Sequence, residues 1–397
     1  MASVLVVLVL AAASLVKKAK ASPTGPPGPD GRQCVQLEVP VTVNTKAIHW
    51  LQKKVDSTVD AVDWVDDMTT WTSPNTTSRI LGQITVNETF KISGQLCVPA
   101  KGSRSDILQL ATHGVGFDKR YWDVEIKSSQ YSYVDAALAE GYSIFTYDRI
   151  GTGSSSKPDA YDVVSTGVQV EVLRQLTTLA RSGKLVSSSK KVGGASNLSN
   201  YKPAKIVQVG HSLGSVIIIG LLSDDGASSD GAILTGFLYN SQIGSASVGP
   251  WGFEFAKEND PKKFGDRRSG YIVQATKSNT QLVFLKKGTF EPALLDYAWQ
   301  IRQPGSVGEF ISLATVLGHP APAFKGPVQF FIGEKDYGFC GGDCNNTYDV
   351  TALKKLYPAS SALSVHLQPG TGHGLTLSTN ATEGYKVIFD FLHESKL

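Results

Sequence analysis

The sequence predicts an α/β fold in which a mostly parallel central sheet is flanked by helices. From about residue 105 onward, short apolar runs alternate with longer stretches of helical periodicity, which is the pattern of repeated βαβ units. Two strand-like segments precede them and predict an antiparallel N-terminal edge. At 397 residues and 41% hydrophobic side chains, the chain is long enough for one large domain with an insertion.

The first 21 residues have the features of a signal peptide. Their apolar run, residues 4–16, is shorter than the roughly 20 residues that cross a bilayer, and Ala19-Lys20-Ala21 is a small-x-small cleavage site. The lysines follow the apolar run instead of preceding it, so cleavage nearer Ala13 and an anchored N-terminus stay open. We expect a secreted protein with no transmembrane segment, in which residues 22–33 form a flexible lead-in rich in Pro and Gly.

Residues 34–99 are expected to form the edge of the sheet. Partial alternation of apolar and polar residues over 34–43, and a similar pattern over 80–99, are typical of half-buried strands. Residues 47–71 have a more helical pattern. We therefore expect two strands with a helix between them.

Cysteines and glycosylation sequons agree with passage through the secretory pathway. The four cysteines allow three pairings. Cys34 and Cys97 lie in the two strand-like segments and Cys340 and Cys344 in one glycine-rich loop, so we expect these two disulfides and no metal site. Five Asn-x-Ser/Thr sequons occur, at Asn75, Asn87, Asn197, Asn345 and Asn380.

The parallel part of the sheet is predicted from six short apolar runs. These runs cover residues 107–112, 142–147, 205–209, 232–238, 328–332 and 363–367. The helical patterns cover residues 133–140, 166–181, 213–222 and 383–393.

About ninety residues separate the runs 232–238 and 328–332, roughly three times what a βαβ crossover needs. We therefore expect an inserted cap over about 241–325, between the sixth and seventh strands of a single domain spanning 34–397. Its aromatic residues are Trp251, Phe253, Phe255, Tyr271, Phe284, Phe290, Tyr297 and Trp299. They either line an apolar pocket or form the core of the cap, and for any single one the core is favoured.

Gly210-His211-Ser212-Leu213-Gly214 is a G-x-S-x-G pentapeptide. Chance matches to this string are common, but this one follows the strand run 205–209 and precedes a buried helical pattern. A sharp strand-to-helix turn strains the backbone of the serine and presents its hydroxyl at the carboxyl edge of the sheet. Ser212 is therefore the predicted nucleophile.

A serine hydroxyl needs a base to remove its proton, and that base needs an orienting acid. Of the seven histidines, only His373 stands in a loop directly after the last strand run. Asp336 follows the run 328–332 and is preferred over Glu334, which stays open. The chain order Ser212, Asp336, His373 is that of α/β-hydrolases.

Two further segments extend the resemblance to the α/β-hydrolase fold superfamily over residues 105–397. Thr112-His113-Gly114-Val115-Gly116-Phe117 resembles the HG oxyanion loop of that superfamily, and Tyr147-Asp148-Arg149-Ile150-Gly151-Thr152-Gly153-Ser154 resembles its D-R-x-G-x-G-x-S turn. The resemblance implies that an oxyanion is held by the backbone N–H of Leu213 and by one donor from the loop. Val115 is preferred for the loop donor, and Gly114 and Gly116 stay open. The N-terminal strands, sequons and cap are similar to those of secreted fungal members.

These features predict a serine hydrolase that cleaves a carboxylic ester or similar acyl bond through an acyl-enzyme on Ser212, with no cofactor. Family members that open epoxides or displace halide use an acidic nucleophile, which Ser212 argues against. Peptide, lactone, thioester or carbon–carbon hydrolysis, perhydrolysis, and a non-catalytic binding role stay open.

The net charge of the chain indicates which classes of partner to expect. Of the net charge of +3, the first 21 residues contribute three lysines. The mature chain is then near neutral, which indicates neither nucleic acid nor an anionic membrane as a partner. We expect a small-molecule, ester-like substrate, and the sequence leaves the oligomeric state open.

Overall fold

A computed structural model describes residues 32–100, 102–194, 197–240 and 248–397. The expected signal peptide, residues 22–31 of the expected lead-in and residues 241–247 of the expected cap lie outside the described residues. The last two lead-in residues, Arg32 and Gln33, already belong to the first strand. No helix in the described ranges is long and apolar enough to span a membrane.

A nine-stranded sheet forms the centre of the fold. The strands of the described ranges are β1 (Arg32–Trp50), β2 (Ile80–Pro99), β3 (Ile107–Thr112), β4 (Ser143–Tyr147), β5 (Lys190–Gly193), β6 (Lys205–His211), β7 (Gly231–Thr235), β8 (Phe253–Phe255), β9 (Tyr271–Gln274), β10 (Gly305–Ser306), β11 (Val328–Gly333) and β12 (Leu363–Gln368). The order across the large sheet is β12-β11-β7-β6-β3-β4-β2-β1-β5. Strands β12 to β4 in this order are parallel, and β2, β1 and β5 are antiparallel. The predicted mostly parallel sheet with an antiparallel N-terminal edge is confirmed.

Helices cover both faces of this sheet. They are α1 (Thr58–Thr69), α2 (Ser128–Tyr131), α3 (Tyr133–Ala139), α4 (Thr166–Arg181), α5 (Leu213–Asp225), α6 (Ala256–Asn259), α7 (Pro261–Phe264), α8 (Lys277–Phe284), α9 (Pro292–Ile301), α10 (Val307–Ser312), α11 (Tyr337–Cys340), α12 (Val350–Leu356) and α13 (Ala381–Glu394). Helix α5 is apolar and buried from Leu213 to Leu222, because α4 and the sheet enclose it. A side chain at Gly214 would overlap the carbonyl oxygen of Thr112, so only glycine allows α5 to approach β3 this closely.

The N-terminal edge departs from the sequence prediction in two places. The helix expected over residues 47–71 begins only at Thr58, where Ser57 caps it by accepting a hydrogen bond from Asp60. Residues 47–50 instead continue β1, because they pair with the start of β2. The short strand β5 was not predicted, since its four residues are largely exposed and carry no alternating pattern.

Both disulfides expected from the sequence are formed. Cys34 lies directly opposite Cys97 in the β1–β2 register, with their Cα atoms 4.1 Å apart. Cys340 and Cys344, four positions apart, close the loop that follows α11.

The segment between β7 and β11 contains an antiparallel sheet in the order β10-β9-β8 and helices α6 to α10. The sequence placed this insertion after the sixth strand. Because the unpredicted strand β5 precedes it, the insertion follows the seventh strand, β7. Trp251, Phe253, Phe284 and Phe310 pack together with ring centroids 4.9–5.9 Å apart. These four aromatic residues form a core that joins the cap elements.

Candidate active site

Ser212 occupies the strained turn that the pentapeptide predicted. It links β6 to α5 with φ 55° and ψ −120°, a conformation that costs a non-glycine residue energy and marks functional turns. Its N–H donates to Thr235 O at 2.8 Å, which ties the turn to β7. A Cβ atom on Gly210 would lie 2.6 Å from Ser215 Cα, so the turn also requires a glycine at that position.

His373 and Asp336 form a buried pair beside this turn. His373 Nδ1 lies 2.6 Å from Asp336 Oδ2, and the side chains are 1% and 0% exposed. A carboxylate only accepts, so Nδ1 carries the proton and Nε2 is left as the acceptor. The other oxygen of Asp336 accepts from the Phe339 N–H at 3.0 Å, which fixes the carboxylate at the start of α11.

The alternative acid, Glu334, points elsewhere. Its carboxylate accepts from the Gly370 N–H at 2.8 Å and from Asn345 Nδ2 at 3.0 Å. These hydrogen bonds and Lys335 lower the pKa of Glu334. The structure therefore brings Asp336, and not Glu334, to His373.

His373 contacts the residue next to Ser212 but is not hydrogen-bonded to Ser212 itself. The neighbouring His211 ring has its centroid 4.7 Å from that of His373. Within the described part of the chain, no hydrogen bond joins Ser212 Oγ to His373. Catalytic hydrogen bonds are often long before substrate binds, so this geometry is compatible with a triad whose acid and base are already joined.

Uncharged rings surround His373. Phe284 and Phe339 lie 5.4 and 5.6 Å from it, between ring centroids. On another side is His211, which stacks on Tyr121 at 4.3 Å. Burial holds the pKa of His211 well below its usual value, with a further lowering from His373. A neutral His211 avoids charge repulsion when His373 takes up a proton.

The oxyanion-loop candidates lie opposite Ser212. A Cβ atom on Gly114 would lie 2.8 Å from Ser212 Cβ, so only glycine fits there. Among the described residues, the backbone N–H groups of Val115 and Leu213 have no hydrogen-bond partner in the chain. Both are therefore free to donate to a developing negative charge.

The predicted D-R-x-G-x-G-x-S turn contacts this loop through Arg149 and is held by an ion pair and a backbone hydrogen bond. Lys119 Nζ and the Ser154 N–H each donate to Asp148 at 2.9 Å. Burial works against the charged form, but these two donors outweigh it and hold the pKa of Asp148 below its usual value.

Arg149, the next residue of the turn, received no role from the sequence. It contacts Gly114, Gln169 and Glu309. Glu309 was also missed, and the sequence signal that could have pointed to it is the Ser-x-x-Glu capping box that starts at Ser306. Its contact with Arg149, 160 positions away, had no local signal.

As for metals, no group of three or more His, Cys, Asp or Glu side chains with the arrangement of a metal site occurs in the described ranges.

Comparisons with known proteins agree with this architecture. No protein of curated function matches the chain. Solved structures similar to it include a thermophilic esterase from Thermogutta terrifontis, with TM-score 0.50, 15% identity and coverage of 86% of this chain and 98% of that one. A carboxylesterase structure from the thaumarchaeon Nitrososphaera gargenis has TM-score 0.50 and 14% identity, and the match covers 78% of this chain and 96% of that one. An epoxide hydrolase from Vigna radiata has TM-score 0.50, 14% identity and coverage of 77% and 95%.

At these identities the structural likeness concerns the fold alone. The family model of the alpha/beta hydrolase family matches residues 110–383, which is more than half of the chain and includes the strained turn, the Asp336–His373 pair and the cap. The chain therefore belongs to the alpha/beta hydrolase family of enzymes.

Proposed function

We propose that the protein is a secreted serine hydrolase that cleaves a carboxylic ester or a similar acyl bond. The observation that carries this proposal is the buried 2.6 Å contact between His373 and Asp336 beside a serine with φ 55°. This is the combination that activates a serine for attack on a carbonyl.

In this mechanism Ser212 Oγ attacks the carbonyl carbon while His373 Nε2 takes its proton. Asp336 stabilises the resulting imidazolium and keeps its orientation. The N–H groups of Leu213 and Val115 hold the oxyanion of the tetrahedral intermediate. His373 then returns the proton to the leaving group. In the second half of the reaction water attacks the acyl carbon while His373 takes its proton, and His373 passes that proton to Ser212 Oγ as the acyl group leaves.

The substrate is proposed to present an apolar group to the cap. A Cβ atom on Gly116 would lie 3.3 Å from Trp251 and 3.4 Å from Phe284, so the aromatic core of the cap closes directly over the oxyanion loop. An ester with an apolar acyl or alcohol group fits such a surface. Epoxide opening is not favoured, because this family uses an acidic nucleophile for it and Ser212 stands at that position.

Secretion is part of the proposal. Its support is the apolar N-terminal segment, the two disulfides and the exposure of most of the sequons, since disulfides persist in oxidising compartments.

The test is hydrolysis of nitrophenyl esters of increasing chain length by the wild type and two variants. Ser212→Ala is expected to lower kcat by about 10⁴-fold or more with folding intact, because triad members act as a unit. Ser223→Ala, at the far end of the same helix, is the matched control and should keep wild-type turnover. Equal turnover by Ser212→Ala would place the nucleophile elsewhere and overturn the proposal.

A further inference from the structure

A buried ion pair joins the cap to the oxyanion loop. Arg149 Nη1 donates to Glu309 Oε1, and each side chain is 1% exposed. Gln169 of α4 accepts from the same guanidinium nitrogen at 2.5 Å and donates to Glu309 Oε1 at 2.9 Å. The second oxygen of Glu309 accepts from the Ser306 N–H at 2.9 Å. The guanidinium is thus held in one orientation by groups from the cap and from α4.

The other terminal nitrogen of this guanidinium acts on Gly114. Arg149 Nη2 donates to Gly114 O at 3.2 Å, and His113 Nδ1 donates to the same oxygen at 2.8 Å. His113 Nε2 in turn accepts from the Arg149 backbone N–H at 3.1 Å, which fixes the tautomer with its proton on Nδ1. Burial, with a smaller contribution from the charge of Arg149, lowers the pKa of His113 to about 3. Arg149 therefore supplies one donor to Gly114 O with its side chain and orients the other, His113, with its backbone N–H.

Holding this carbonyl also fixes the next N–H group. The C=O of Gly114 and the N–H of Val115 belong to one planar trans peptide, in which they point in opposite directions. Gly114 itself lies against Ser212. Because Arg149 holds the Gly114 carbonyl, the Val115 N–H points away from Arg149. Among the described residues this N–H has no hydrogen-bond partner.

We propose that Arg149 is the positioning residue for the Val115 N–H, the loop donor of the proposed mechanism, and that Glu309 makes this positioning depend on the seating of the cap. The inference rests on the proposed function. In it, Arg149 and Glu309 do not touch the substrate but set the orientation of the peptide between Gly114 and Val115. A role confined to fold stability is the competing explanation, and the two differ in what they predict for kcat.

The test replaces the pair with apolar residues. A buried ion pair can often be exchanged for apolar side chains without loss of stability, whereas removal of one partner leaves a buried charge. In Arg149→Met/Glu309→Leu we expect kcat for a nitrophenyl ester to fall about 10- to 100-fold, because His113 alone then holds the Gly114 carbonyl and the Val115 N–H is less well oriented. We expect KM to stay within about two-fold and inhibition by a trifluoromethyl ketone, whose adduct carries the oxyanion, to weaken by a factor similar to that of kcat.

The matched control is Arg79→Met/Asp67→Leu. Arg79 Nη1 lies 2.6 Å from Asp67 Oδ2, and the hydrogen-bond partners of the Arg79 side chain all lie within residues 67–79. We expect this variant to keep the wild-type kcat. Arg149→Lys is a second, charge-conserving variant for the case in which the double variant does not fold, since a lysine cannot reproduce the fork that reaches both Glu309 and Gly114. It should show the same fall in kcat.

Wild-type kcat in the folded double variant, or in Arg149→Lys if the double variant does not fold, would overturn the inference. A loss of kcat in Arg79→Met/Asp67→Leu as large as that in Arg149→Met/Glu309→Leu would also overturn it. A wild-type protein without ester turnover would instead contradict the proposed function, and the inference with it.

Discussion

At the scale of single residues, Asp336 and Glu334 form a natural comparison. They lie two positions apart, but only Asp336 contacts His373. We expect Asp336→Asn to lower kcat by about 10³- to 10⁴-fold, because an amide does not stabilise the imidazolium and favours the wrong tautomer. Steady-state hydrolysis of a nitrophenyl ester measures the effect.

Glu334→Gln is the control for this substitution, and we expect its kcat to stay within about two-fold of the wild type. If the loss followed Glu334 instead of Asp336, the assignment of the acid would be wrong.

The sequence pointed to Asp336 and His373 because each follows a strand run in a short loop, and the parallel sheet brings such loops to one edge. It gave no role to Arg149 or Glu309. Their contact joins residues 160 positions apart and depends on how the cap sits on the sheet, which no local pattern encodes.

At the scale of elements, the two disulfides should contribute unequally to stability. Cys34 and Cys97 are 63 positions apart and Cys340 and Cys344 only four, so the first restricts the unfolded chain far more. We expect Cys34→Ala/Cys97→Ala to lower the free energy of unfolding by about 4 kcal/mol and Cys340→Ala/Cys344→Ala by about 2 kcal/mol. Urea denaturation measures both, and a larger loss from the short loop would show that local packing outweighs chain entropy.

Elements with a strong local pattern were predicted closely. The strand over 107–112 and the helix over 166–181 have the predicted bounds. The end of β1 was misassigned because residues 47–50 take their extended form from pairing with the distant β2, and tertiary pairing overrides local propensity. Strand β5 is extended only through its contact with β1.

At the scale of the whole molecule, two buried histidines make stability depend on pH. Burial lowers the pKa of His113 to about 3 and that of His211 well below its usual value. Below about pH 6.5 the unfolded chain therefore binds more protons than the folded one, and stability falls as the pH falls. Between pH 7 and pH 5 we expect a loss of about 2 kcal/mol from His113 and a further loss in the same direction from His211.

Urea denaturation at a series of pH values tests this window, which lies above the titration of ordinary carboxylates. His113→Asn should reduce the slope of the free energy of unfolding against pH. A free energy of unfolding that stays constant from pH 7 to pH 5 would contradict the neutral, buried state of both histidines.

The sequons of the whole chain should also differ in occupancy. Asn75, Asn87 and Asn197 are exposed, and so is Asn345, although its Nδ2 donates to Glu334 at 3.0 Å. Asn380 is partly buried, and its Nδ2, the atom that a glycan would occupy, donates to Pro369 O at 3.1 Å. Peptide mapping of protein secreted by a yeast host should find glycans at some or all of the exposed sites and none at Asn380. A glycan at Asn380 would mean that modification precedes the folding of this loop.

The central claim is that Ser212 is an activated nucleophile, and labelling with a fluorophosphonate followed by peptide mapping tests it most directly. Such probes react with a serine only when a base and an oxyanion hole activate it. We expect one label per chain, on Ser212, and its loss in Ser212→Ala but not in Ser223→Ala. Folded protein that takes no label, or takes it on another serine, would contradict the account.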